Sequence, residues 1–70
     1  MSDLFNFYKG RIESAINYGF KSGSEILVVI ERTAFWDSYL TNDECNNIMI
    51  LCDMARKKLL EDNYNAGWNE

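Results

Sequence analysis

The stretch Glu25-Ile26-Leu27-Val28-Val29-Ile30-Glu31-Arg32-Thr33-Ala34-Phe35-Trp36-Asp37-Ser38-Tyr39-Leu40 decides the fold. Its opening run, Ile26 to Ile30, is rich in β-branched residues and on propensity alone reads as a buried strand. No second strand-like run occurs in the sequence, and a lone strand leaves its backbone donors and acceptors unpaired unless a second molecule supplies them. A helix over about 25–40 is therefore expected. On a helical wheel Ile26, Val29, Ile30, Trp36 and Leu40 form one side, Val28, Phe35 and Tyr39 a second, and Leu27 with Ala34 a third. A helix apolar nearly all round is expected to be central and covered.

Towards the N-terminus, Ser2 or Asp3 caps a first helix running to about Tyr18, with Leu4, Phe5, Tyr8, Ile12, Ala15 and Ile16 on one face at helical spacing. Gly10 inside it costs up to about 1 kcal/mol relative to Ala and reads as simple tolerance. Gly19 is a helix stop, and Ser22 with Glu25, or Ser24, supplies a new start. Towards the C-terminus, Thr41 and Glu44 make a T-x-x-E capping box ahead of a helix over about 42–63, whose stripe is Cys45, Ile48, Met49, Cys52, Ala55, Leu59 and Leu60. A tail, 65–70, follows. The expected architecture is an all-α, compact three-helix bundle forming a single domain over 1–70, with helices at about 3–18, 25–40 and 42–63, and oligomeric.

With 7 Lys plus Arg against 11 Asp plus Glu, the net charge is -4, and the acids are scattered from Asp3 to Glu70. No basic stripe is present to release counterions from a phosphate backbone, so no direct nucleic-acid partner is expected. The sequence has no His, which removes the usual neutral-pH general base and the commonest metal ligand. No E-x-x-H, D-x-D-x-D-G or Gly-rich phosphate loop occurs, and the acids Glu31, Asp37, Asp43, Glu44 and Asp53 read as caps and solvated faces. A non-enzymatic chain is expected, with no catalytic residues, metal or cofactor. Glu31 beside Arg32 in the most apolar helix is the one pair where burial would matter, because a buried charge must be paired or cost several kcal/mol.

Cys45 and Cys52 lie seven residues apart on one helix, a rise of about 10 Å, beyond the reach of a disulfide. Two free thiols, no signal peptide and no stretch long and apolar enough to span a membrane fit a cytoplasmic protein without a membrane partner. A chain of 70 residues buries only about 60% of its unfolded surface, so exposed apolar side chains in excess of one thin core call for a second molecule.

Three groups carry that excess. Ile50, Leu51 and Met54 fall outside the main stripe of the third helix and are expected to meet a partner or another copy of the chain. Phe7, Arg11 and Tyr18 form an aromatic and arginine flank of the kind enriched at interfaces, and Trp68 in the tail also needs a place to go. Phe35, Trp36 and Tyr39 are read first as core; the alternative is a platform for a base or nucleotide, with Arg11 or Arg32, in a pocket built at an oligomer interface. The expected partners are a second copy, as a homodimer or higher, and another protein.

The segment Tyr39-Leu40-Thr41-Asn42-Asp43-Glu44, leading into a helix that ends Tyr64-Asn65-Ala66-Gly67-Trp68-Asn69-Glu70, resembles small bacteriophage accessory proteins. The resemblance covers the last half of the chain and carries no catalytic residue across. It implies a single helical domain that binds and inhibits or redirects a host enzyme or defence component, in the host cytoplasm.

Overall fold

The computed structural model describes residues 2–67, with side chains through Tyr64. Its described residues are helical apart from Ser2 and the turn over 36–41 and include no strand, so the Ile26 to Ile30 run is helix. The helices come as two unbroken runs, 3–35 and 42–67, and not as the three separate helices expected. The first run comprises α1 (Asp3–Ala15), a tight 3-10 turn (Ile16–Tyr18) and α2 (Gly19–Phe35); the second is α3 (Asn42–Gly67).

The break between α1 and α2 needs no loop. Gly19 adopts φ 87° and ψ 171°, a backbone conformation essentially confined to glycine, and α2 resumes at once. This places the start of α2 six residues before the expected Glu25. Ser22, Ser24 and Glu25 are thus interior to the helix and cap nothing. The helix also ends at Phe35 rather than Leu40, and α3 runs on to Gly67, past the expected end near residue 63.

Two of the expected caps form as read. Ser2 is extended at φ -71°, ψ 165°, and its Oγ accepts from Phe5 N at 3.2 Å. At α3, Glu44 N donates to Thr41 Oγ1 and Thr41 N donates to Glu44 Oε1, both at 3.1 Å, so two orphan donors are satisfied reciprocally. Glu44 does more than the sequence suggests. Its other oxygen, Oε2, accepts from Ser2 N at 3.1 Å and from the Ser2 hydroxyl, so one buried carboxylate ties the N-terminus of α1 to that of α3. Those hydrogen bonds, foremost the one from the Ser2 hydroxyl, pull its pKa from 4.5 to about 2.

The core is a single cluster: Phe5, Tyr8, Ile12 and Ala15 of α1, Leu27, Ile30 and Ala34 of α2, and Ile48, Cys52, Ala55 and Leu59 of α3. The buried stripe of α2 is Gly23, Leu27, Ile30 and Ala34. This corrects the expectation of a covered helix: Val28 and Val29 are exposed, and the face turned inwards includes the Leu27 and Ala34 side, the one with the smallest residues. The physical reason lies at Gly23, where an added Cβ would stand 2.5 Å from Ala15 O and 2.9 Å from a Leu59 methyl. There α2 comes against the Ala15 carbonyl of α1 and the Leu59 side chain of α3, and only a residue without a Cβ fits between them.

The turn from α2 to α3 is held by Asp37. Its Oδ2 accepts from the buried Tyr8 hydroxyl at 2.8 Å, and its Oδ1 accepts from Tyr39 N at 3.0 Å. Burial, reinforced by the bond to Asp37, lifts the Tyr8 phenol to about 12. Glu31 and Arg32, neighbours in α2, do not pair with each other. Glu31 instead receives the Arg56 guanidinium across the α2/α3 seam through both nitrogens, one at 3.0 Å, while Arg56 also reaches Asp53 at 3.0 Å.

Candidate interaction groove

Because α3 covers one side of the α1/α2 pair, the opposite seam is left open. Phe7, Gly10, Arg11 and Ser14 of α1 and Tyr18 of the turn after it line this seam at near-helical spacing, with Ile26 of α2 on its far wall. They enclose a groove of about 580 Å³. A smaller extension of about 250 Å³ continues it between Phe7 and Arg11 on one side and Val29, Ile30 and Thr33 on the other. Gly10 supplies no side chain at the middle of the groove, and nothing stands within 4 Å of where its Cβ would be, which agrees with the reading of that glycine as tolerated.

The groove is apolar and aromatic at its rim: Phe7 is 58% exposed and Tyr18 64%. Arg11 is the only charged residue lining either part. Its guanidinium carbon lies 5.9 Å above the Phe7 ring, a cation–π placement, and it has no ion-pair partner among the described residues. The three residues Phe7, Arg11 and Tyr18, singled out on sequence as a loose flank, thus share one concavity. Of the α2 wall, Ile26 is partly buried and packs against the core, whereas Val29, expected to be covered, is exposed.

The other singled-out residues are distributed differently. Ile50 and Met54 are exposed one turn apart on α3, away from the groove-lining residues, but Leu51 is half-buried and packs against the core, so the expected three-residue patch shrinks to two. Trp68 lies outside the described residues. Phe35, Trp36 and Tyr39 are not core: Trp36 is 80% exposed and Tyr39 86%. Phe35 is the last residue of α2 and Trp36 and Tyr39 follow it, all beyond the last buried position, Ala34. Phe35 and Trp36 meet edge to face at 5.3 Å. Trp36 shares a shallow depression with Arg32, and Phe35 and Trp36 line another with Cys45; Tyr39 lines neither. Among the described residues no group of His, Cys, Asp or Glu is placed to hold a metal ion, and no helix is long and apolar enough to cross a membrane.

Comparison with known protein families, with curated proteins and with solved structures finds no match to this chain.

Proposed function

We propose that this chain is a non-enzymatic protein-interaction module that works by binding and occlusion, with the α1/α2 groove as its working surface. The observation that carries this reading is the open seam itself, where exposed Phe7 and Tyr18 flank an unpaired Arg11 over an apolar wall. Aromatic and arginine side chains supply most of the energy at protein interfaces, and a groove between two helices suits an apolar helix face. Ile50 and Met54 form a second, smaller contact. The likeness to small bacteriophage accessory proteins supports a host enzyme or defence component as the occluded partner, in the host cytoplasm.

The test is an NMR titration of the isotopically labelled protein with a short amphipathic helical peptide of leucine, alanine and glutamate. Saturable shifts are expected at Phe7, Gly10, Arg11, Ile26 and Val29, and Gly10→Leu, which fills the groove, is expected to abolish them. Absence of saturable shifts at these residues refutes the reading.

A second reading, a small-molecule or nucleotide-binding module whose pocket is completed at an oligomer interface, draws support from Arg32 and Trp36 lining one depression. A ligand of the native state must raise the melting temperature by mass action. No rise across a nucleotide panel removes this reading.

A further inference from the structure

With Gly23, Leu27, Ile30 and Ala34 of α2 turned inwards, the opposite side of that helix carries Lys21, Glu25, Val28, Val29, Arg32 and, at its C-cap, Trp36. All six are exposed, Val28 at 42% and Val29 at 56%. The strip runs for about 22 Å at 1.5 Å per residue. Its three charges, Lys21, Glu25 and Arg32, have no ion-pair partner among the described residues. The other two helices pack on the inner side of α2 and on each other, which leaves this outer face clear.

The order of residues along the strip is its own complement. Glu25 stands three residues before the valine pair and Arg32 three after it, while Lys21 stands seven before and Trp36 seven after. Reversing the strip about the point midway between Val28 and Val29 therefore puts the cation where the anion stood and the anion where the cation stood. At about 100° per residue, the two members of each pair also lie at equal angles on either side of one line down the helix, so the reversal keeps all six on the same face.

We infer that α2 recognises a second copy of itself, the two helices pairing antiparallel about a two-fold axis level with the Val28–Val29 peptide. The valines of both copies meet at the centre, and Glu25 of each faces Arg32 of the other. Lys21 of each falls level with Trp36 of the other, whose exposed ring accepts an ammonium over its face. The contact is the same patch on both copies and closes as a symmetric dimer. Charge fixes the direction, because a parallel pair would oppose Glu25 to Glu25 and Arg32 to Arg32. Only Val29 of the strip also lines the α1/α2 groove, and the pairing does not rest on the groove being a working surface.

Sedimentation equilibrium of the full chain tests this. The parent protein is expected to associate reversibly to a dimer, more weakly at high salt because exposed ion pairs are screened. Glu25→Arg and Arg32→Glu each oppose like charges twice in every dimer, and each is expected to weaken association about tenfold, a loss of about 1.4 kcal/mol, with native helicity by circular dichroism. An equimolar mixture of the two single variants is expected to dimerise as the parent does, since both contacts of the mixed pair again join opposite charges. Val28→Lys, which brings like charges together at the centre, is expected to leave a monomer and decides the matter if either charge variant loses helicity. A parent that is monomeric at every concentration overturns the inference. So does a dimer that these variants leave intact, or a mixture no more associated than its components.

Discussion

Gly23→Ala is the substitution that most directly interrogates why these helices pack as they do. The new Cβ would sit 2.5 Å from Ala15 O and 2.9 and 3.1 Å from the two Leu59 methyls. A carbon rests against a carbonyl oxygen at about 3.3–3.6 Å, so α2 has to retreat from α1 by about 1 Å. Leu59 is itself fully enclosed and has no room to give. Overpacking of this kind costs about 1–3 kcal/mol, and relief of the glycine's helix penalty returns about 1 kcal/mol. Since the closest clash is with backbone, the upper part of the cost applies, and a net loss of about 1–2 kcal/mol is expected. For a domain this small each kcal/mol moves the melting temperature by about 4–8 °C, so a fall of about 4–16 °C is expected at fixed protein concentration. Gly10→Ala is the internal control: the same chemical change in α1, where nothing stands within 4 Å, is expected to raise stability by up to about 1 kcal/mol. A Gly23→Ala protein that melts at or above the parent temperature refutes the close-approach argument.

Glu44 is a carboxylate whose folded pKa, about 2, lies below its ordinary 4.5; its contribution is therefore complete above pH 4.5 and lost as pH falls towards 2. Denaturant titrations over that window are expected to show a steep loss of stability that Glu44→Gln flattens, and an unchanged slope in the variant would exclude Glu44 as its source. Tyr8 has its phenol raised from 10 to about 12, so its contribution holds below pH 10 and fades as pH climbs through 12; Tyr8→Phe is expected to cost about 1 kcal/mol at neutral pH and to remove that alkaline loss, as followed by circular dichroism. Cys52 is buried and its thiol is pushed up to about 11, mainly by burial, whereas Cys45 is half-exposed. A thiol reagent is expected to modify Cys45 first and Cys52 only as the protein opens, and equal rates on the native protein would contradict this burial pattern.

The helix caps were legible in the sequence because capping is local chemistry: Ser2 with Phe5, and Thr41 with Glu44, need only a three-residue spacing. The bond from Ser2 to Glu44 spans 42 residues, and no periodicity encodes it. The face of α2 was misread for a different reason. A wheel weights residues by how apolar they are, and on that measure Ile26, Val29 and Trp36 outrank Gly23 and Ala34. Packing between these helices weights residues by how closely they let backbones approach, and at Gly23 that approach is to a neighbouring carbonyl. With Gly23, Leu27, Ile30 and Ala34 turned inwards, Val29 turns outwards and Ile26 is only partly covered, and both stand beside Phe7 and Arg11. The groove is thus the counterpart of the core, since the choice that lets α2 sit against Ala15 and Leu59 also leaves Val29 exposed, with the partly buried Ile26, on the open seam. A change that reopened the Gly23 contact would be felt in the groove as well, because the same helix forms a wall of both.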